Sequence, residues 1–334
     1  MAGPSSSGSP LPRWSGCSSG EGSGVVRKEE KIGLVIVQGP TASGKSALAL
    51  ELAERFGGEI VNADSMQVYR GMDIGTAKPS REERERIPHH LYDLVDPDVN
   101  FTAADFREHA SRIIEEIHRR GKRAILVGGT GLYIRILTRG LVDSPGGDED
   151  IRRELETEAR REGLEALHRR LSVVDPVTAV RLHPNDGVRI VRALEVYLLT
   201  GRPLSSFHEE HRFADDPYRC LKLGITLDRE ILYRRVEERV DRMIADGLVE
   251  EVRGLLAAGY APSLKAMGSI GYREICGHLA GEYPLEEAVR RIKQSTRQYA
   301  KRQLTWFRRD SEIIWVEYPG ESASIFSTVM EFHH

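Results

Sequence analysis

The sequence lacks the features of a membrane protein, a secreted disulfide-rich protein or a structural metal protein. Its 334 residues include three cysteines, Cys17, Cys220 and Cys276, which form neither a CxxC pair nor a metal-ligand spacing. No run approaches the roughly 20 apolar residues that cross a bilayer, and the N-terminus has no apolar signal-peptide core. These absences predict a reduced cytoplasmic protein, which we expect to be a monomer without membrane contacts.

The first 30 residues lack both a hydrophobic pattern and an excess of one charge. Glycine and serine dominate this segment, and its three basic residues are balanced by three acidic ones. We therefore predict a disordered tail over 1–30 that is not a basic RNA-binding arm. The whole chain is 40% hydrophobic and 30% charged with a formal net charge of −3, which is ordinary globular composition.

Short apolar runs alternate with helical patterns along much of the remaining chain. Runs at 32–37, 59–61, 124–127 and 221–226 predict buried strands, and 313–316 predicts a closing strand. This alternation is typical of βαβ units with a right-handed, mostly parallel sheet. Between 144 and 214 strand patterns disappear and charged helical patterns replace them. We predict a P-loop-type α/β core over 31–143 and 215–334, with helices flanking its sheet, and an all-helical insertion over 144–214.

The strongest motif lies between the first strand and the first helix. It matches G-x-x-x-x-G-K-[ST] at every position, and its glycines allow successive N–H groups to surround an anion at a helix N-terminus. The lysine would reach the terminal phosphates, and the following hydroxyl would bind Mg²⁺. The predicted diphosphate loop consists of Gly39, Pro40, Thr41, Ala42, Ser43, Gly44, Lys45 and Ser46.

A clean Walker B acid is missing, although nucleotide hydrolysis normally needs one. The best second strand, at 124–127, runs into Gly128-Gly129-Thr130, and the acidic stretch 91–96 is not a continuous apolar run. The loop therefore indicates diphosphate binding and does not by itself indicate a nucleoside triphosphate.

Two polar residues follow predicted strands and should meet at the crevice of the sheet. Because the carboxyl ends of parallel strands converge on the ligand site, Asp64 should lie near the phosphate loop. It could accept a proton from a nucleophile, or it could cap a helix. Thr130 could hydrogen-bond to a leaving oxygen, or it could belong to a plain turn.

The segment 285–309 carries eight basic residues and two acidic ones. At helical spacing, Arg290, Arg297, Lys301 and Arg308 share one face, whereas Ile292 and Phe307 lie on the opposite face. An unmixed basic face on an acidic protein favours nucleic-acid contact over a merely solvated surface.

With these motifs in place, the chain resembles the tRNA dimethylallyltransferases, also called tRNA isopentenyltransferases. The resemblance runs from about residue 33 to 309, and the long second motif is highly specific. The matching stretches are GPTASGKS (39–46), NADSMQVYRGMDIGTAKP (62–79), LVGGTGLY (126–133), HPNDGVRIVRALE (183–195), EEVRGLL (250–256), GYRE (271–274) and TRQYAKRQLTWFRR (296–309).

The resemblance implies transfer of a dimethylallyl group from dimethylallyl diphosphate to N6 of adenosine 37, next to the tRNA anticodon. It implies that Lys45 and Arg253 neutralise the diphosphate, that Ser46 binds Mg²⁺, that Asp64 accepts the N6 proton, and that Thr130 contacts the bridging oxygen or the adenine. It also implies contacts with the anticodon stem-loop from Asp64, Ser65, Met66, Gln67, Thr130, Arg152, Val188, Arg189, Ile190, Val191, Arg192, Gly268, Ser269, Ile270, Gly271, Tyr272, Arg273, Arg297, Lys301, Arg302, Gln303, Trp306 and Arg308.

The chain departs from the family pattern at both ends. The tail has no recognisable counterpart, and the C-terminal region lacks the Cys/His zinc finger of eukaryotic relatives, which favours the bacterial type. Three other functions remain open: an adenylate isopentenyltransferase acting on free AMP, ADP or ATP, a P-loop kinase, and a non-catalytic RNA-binding protein. The basic face and the insertion favour tRNA over a free nucleotide, which needs neither.

Overall fold

The computed structural model describes residues 31–141, 145–211 and 215–333. The predicted tail and both predicted ends of the insertion lie outside these ranges. Within them, no helix is long and apolar enough to span a membrane.

A six-stranded parallel sheet forms the centre of the described fold, in the order β3-β2-β4-β1-β5-β6. This confirms the predicted α/β class and the parallel sheet. The two-residue strand β3 was not predicted, because it has no apolar run. The strands are β1 (Ile32–Gln38), β2 (Gly58–Asn62), β3 (His89–His90), β4 (Arg123–Gly128), β5 (Tyr218–Ile225) and β6 (Ile313–Val316).

Both faces of the sheet are covered, and alternate residues of each strand supply two separate hydrophobic clusters. On β1, Leu34 and Ile36 pack into one cluster, whereas Val35 and Val37 pack into the other. The helices of this α/β part are α1 (Lys45–Phe56), α2 (Arg81–Arg86), α3 (Ala103–Arg119), α4 (Gly131–Arg139), α10 (Arg229–Ala245), α11 (Leu248–Ala257), α12 (Tyr272–Leu279), α13 (Leu285–Phe307) and α14 (Ser322–Phe332).

Within the described residues 145–211, five helices occupy the segment predicted as an insertion. They enclose a hydrophobic cluster of their own, in which Leu167, Leu171 and Ile190 are fully buried. Such a cluster is what a separately packed helical unit requires. The helices are α5 (Glu149–Glu162), α6 (Leu164–Val174), α7 (Pro176–Arg181), α8 (Gly187–Thr200) and α9 (Leu204–His211).

Candidate active site

The phosphate loop joins β1 to α1 with a backbone that few side chains tolerate. Gly44 caps α1 in the left-handed conformation (φ 98°), and Ala42 also has a positive φ of 64°. Positive φ at a non-glycine residue stores strain that is typical of ligand sites. Ser43 is fully buried, and its hydroxyl has no hydrogen-bond partner. An unpartnered buried hydroxyl inside such a loop suits an anionic ligand, which would supply the missing partner.

One side chain from α13 connects this loop to the turn that follows β4. The Gln303 side chain accepts a hydrogen bond from the Thr41 N–H (2.9 Å) and donates one to the Gly129 carbonyl (2.8 Å). A Cβ atom on Gly129 would lie 2.2 Å from the Gln303 amide nitrogen, so any larger residue would displace this side chain. Gln303 therefore fixes the spacing between the phosphate loop and the turn that carries Thr130.

Asp64 lies in the turn after β2 and does not cap a helix. Its Oδ1 accepts a hydrogen bond from the Met66 N–H (2.9 Å), and its own N–H donates to the side chain of Asn62 (2.9 Å). Among the described residues, its second carboxylate oxygen has no hydrogen-bond donor. Thr130 joins the same cluster, because its Oγ1 accepts a hydrogen bond from the Ser65 N–H (3.0 Å). The turn thus holds one oxygen of Asp64 and leaves the other available to a substrate.

Asp64 and Thr41 line a pocket of about 310 Å³. Gly268, Ser269 and Ile270 also line it, although the resemblance assigned this stretch to tRNA contact. The rest of the wall combines polar residues with several apolar side chains. The apolar side chains of the wall include Met66, Val240, Met243, Ile270 and Ile292.

Three cations, Lys45, Arg235 and Arg239, belong to the phosphate loop or interact with its residues. Burial, and to a smaller extent the charge of Arg239, lower the pKa of Lys45 to about 8, while Asp64 opposes the shift. Burial also lowers the pKa of Arg239, with Asp64 again acting in the opposite direction. Arg235 donates a hydrogen bond to the Ser43 carbonyl (3.4 Å). Desolvated cations beside an anion-binding loop favour a strongly negative ligand.

Arg253 is placed differently from its implied role. It belongs to α11, where its guanidinium pairs with Glu250 and more than half of the side chain is exposed. It does not line the pocket of Asp64, whereas Arg239 of α10 does. Sequence reasoning missed Arg239, although it follows Arg235 by four residues and adjoins the buried stripe of α10, so a helical projection places both arginines on one side of the helix.

The stretches assigned to tRNA contact contain both surface and interior residues. Ile190, Val191, Tyr272 and Gln303 are buried, so their side chains do not lie on the outer surface, although Tyr272 lines the pocket of Asp64. The reason is periodicity: a continuous stretch on a helix presents alternating faces, and one face packs inward. The Tyr272 hydroxyl instead donates to Glu251.

Two arginines of the insertion are also engaged internally. Arg152 and Arg192 both pair with Glu195, whose carboxylate is fully buried. A buried carboxylate needs such partners, which gives these arginines a structural role in addition to any RNA contact. Val188 and Arg189 remain exposed on the same insertion.

The basic face of α13 is less uniform than the sequence suggests. Glu287 binds both Arg290 and Arg291, while Asp241 and Glu237 of α10 bind Lys293 and Arg297. The sequence prediction considered only the charges within α13, because the packing of α10 against it is not visible in the sequence. The positive charge without an acidic partner, within the described ranges, is concentrated at the C-terminal end. We call Lys301, Arg302, Arg308 and Arg309 the cationic end of α13.

Loop, pocket and cations together define an α/β protein with a phosphate loop between β1 and α1 and a neighbouring pocket that Asp64 lines. Residues 67–310 match the family model described as IPP transferase. The chain is 82% identical over 309 residues to the tRNA dimethylallyltransferase of Geobacter metallireducens, covering 92% of this chain and 100% of that one. It is 68% identical over 302 residues to the Geobacter sulfurreducens enzyme of the same name, covering 90% and 97%.

Solved structures give the same result. The tRNA isopentenylpyrophosphate transferase of Bacillus halodurans superposes with a TM-score of 0.68 at 41% identity, covering 90% of this chain and 97% of that one. A eukaryotic dimethylallyltransferase acting on tRNA superposes with a TM-score of 0.73 at 33% identity, covering 86% and 74%. The chain belongs to the IPP transferase family.

Proposed function

We propose that the protein transfers the dimethylallyl group of dimethylallyl diphosphate to N6 of adenosine 37 in tRNA. The observation that carries this proposal is the convergence of a phosphate loop, a carboxylate and an apolar wall on one pocket. The diphosphate binds at the loop, and the five-carbon chain lies against the apolar wall. The family membership and the names of the relatives support the same reaction.

The chemistry assigns one task to each group at the pocket. The N6 nitrogen forms a bond to the first prenyl carbon, whose bond to the diphosphate oxygen breaks with both electrons going to the diphosphate. The free oxygen of Asp64 accepts the N6 proton. Lys45 and Arg239 stabilise the charge that develops on the leaving diphosphate. Because the target base must enter a recessed pocket, it leaves its stack in the RNA.

Mg²⁺ is part of this proposal. No cluster of three or more acidic, histidine or cysteine ligands exists among the described residues, so the ion would rely on Ser46, diphosphate oxygens and water. This fits the preference of Mg²⁺ for few protein ligands and substrate phosphates. When bound, Mg²⁺ supplies Lewis-acid stabilisation of the leaving group.

The charge at the cationic end of α13 favours tRNA over a free adenylate as the acceptor. Gln303 and Trp306 lie on the last turns of this helix, so its basic end adjoins the phosphate loop and the turn after β4. A free adenylate needs no such surface, whereas RNA phosphates do. A tRNA-modifying role is consistent with the cytoplasmic location and monomeric state expected from the sequence, which remain predictions.

Mass spectrometry of tRNA nucleosides tests the proposal directly. Unmodified tRNA is incubated with protein, dimethylallyl diphosphate and Mg²⁺, and N6-isopentenyladenosine is the expected product. Parallel reactions replace tRNA with AMP or replace the donor with ATP. Prenylation of AMP without prenylation of tRNA would establish the adenylate enzyme instead. ATP turnover without any prenyl donor would establish a kinase or ATPase.

A further inference from the structure

A second pocket, of about 420 Å³, lies beside the turn after β4. Thr130 of this turn bonds to Ser65, next to Asp64, whereas the following residue, Gly131, lines the second pocket. Gln38, the last residue of β1 before the phosphate loop, lines it too. The wall is completed by α4, by Lys222 of β5, by the end of α13 and by the connection to β6. The second pocket therefore shares its supporting elements with the site of Asp64.

The charge of this second pocket is positive overall. Arginine and lysine contribute four lining residues, and acidic side chains contribute two. Both acids are already paired: Lys222 binds Asp310 (2.8 Å) and Glu312 (2.7 Å), and Arg139 also binds Glu312. Arg309 continues the cationic end of α13 into the pocket. Such a pocket suits a ligand that carries a phosphate.

The other residues of the second pocket suit a planar group with hydrogen-bonding atoms along its edge. Trp306 packs so closely on Gly131 that a Cβ atom there would lie 2.2 Å from the indole ring. The Gln38 side chain is 1% exposed, and its amide nitrogen has no hydrogen-bond partner. An unsatisfied buried amide is destabilising. A side-chain amide can donate and accept at once, which matches the edge of a nucleobase.

We propose that the second pocket binds one extruded base of the tRNA loop other than the target adenosine. Trp306 provides the stacking surface, Gln38 bonds to the base edge, and Arg309 contacts the adjoining phosphate. This inference rests on the proposed function, since it requires RNA at the active site. It assigns to Gln38 and Arg309 a role in substrate recognition that differs from gripping the donor.

The test combines a variant that fills the pocket with stem-loop RNAs that lack single bases. Ser311 is exposed and lines the pocket, so Ser311→Trp places an indole there without disturbing the core. Ser324→Trp, at an exposed position of α14 away from this wall, is the matched control. Binding of an anticodon stem-loop, and of versions with an abasic nucleotide at each loop position, is measured by fluorescence anisotropy.

Ser311→Trp should weaken binding of the intact stem-loop by roughly tenfold or more, the scale of one base stacked on an aromatic ring. One abasic RNA should bind the wild-type protein equally weakly and should lose nothing further in the variant. Ser324→Trp should have no effect. Equal losses for every abasic RNA, or no loss at all, would overturn the proposal. Failure of the wild-type protein to prenylate any stem-loop would instead refute the proposed function.

Discussion

Lys45 should destabilise the ligand-free protein at neutral pH, because burial lowers the pKa of its ammonium from 10.5 to about 8. Between these values the unfolded chain binds a proton that the folded protein has released, so stability rises with pH. Below about pH 8 the penalty is present in full. The shift corresponds to at most about 3 kcal/mol, and to less because the side chain keeps some contact with solvent.

Lys45→Met removes this penalty and tests its size. Urea unfolding without ligand should show the variant to be more stable than wild type at pH 7, by about 1–3 kcal/mol. The difference should shrink as the pH approaches 10.5. Lys122→Met, at an exposed position, is the control for the loss of a lysine.

The affinity for the donor should fall as the pH rises, whereas the stability of the ligand-free protein rises. The diphosphate is already fully ionised near neutral pH, since the second phosphate pKa is about 6, so changes above pH 8 report on the protein. About one tenth of Lys45 stays charged at pH 9, which predicts a roughly tenfold weaker affinity than at pH 7. A flat affinity from pH 7 to 9, together with a Lys45→Met variant that is less stable at every pH, would refute the desolvation argument.

Three other predictions have equally specific outcomes. Asp64→Asn should keep donor affinity but lower the single-turnover transfer rate by about 10²-fold; a normal rate would reduce Asp64 to a turn residue. Glu251→Ala removes the acceptor for the N–H groups of residues 73–75 and for the Tyr272 hydroxyl. Urea unfolding should therefore show a free energy of unfolding lower by about 3 kcal/mol. The surface control Glu250→Ala should lower it by less than about 0.5 kcal/mol. Two triple variants replace cations of α13 with Gln, one at cations without an acidic partner and one at ion-paired cations. In a plot of log affinity for tRNA against log salt concentration, the first variant should lower the slope by up to about 0.7–0.9 per residue, and the second should lower it less. Equal slopes for the two variants would contradict the charge distribution described above. The unpaired set is Lys301, Arg308 and Arg309, and the ion-paired set is Arg290, Lys293 and Arg297.

The sequence predicted the sheet well because buried parallel strands need continuous apolar runs. The strand predicted at 32–37 is Ile32–Gln38, and the strand predicted at 313–316 has those bounds in the structure. Strand ends then located the phosphate loop, Asp64 and Thr130 on one edge of the sheet. The same reasoning could not find β3, because pairing of His89 and His90 with β2 depends on tertiary contacts.

Contacts between side chains on different helices could not be predicted from the sequence. Whether Arg239 or Arg253 reaches the loop depends on the packing of α10 and α11, since both residues lie on amphipathic helices. Similarly, Glu237 neutralises Arg297 only because α10 packs along α13. A helical projection could have separated Ile190 and Val191 from exposed Val188 and Arg189, so that part of the site was predictable in principle.

The position of Gln303 links two functions that the sequence treats separately. Its side chain bridges the phosphate loop and the turn of Thr130, and it stands on the helix whose cationic end would meet RNA. A shift of this end of α13 on RNA docking must therefore alter the loop, the turn or both hydrogen bonds. Because linkage is reciprocal, a donor that tightens the loop would strengthen RNA binding by the same factor as RNA strengthens donor binding. Under the proposed function, the side chain of Gln303 is therefore the contact through which RNA docking and donor binding would be coupled.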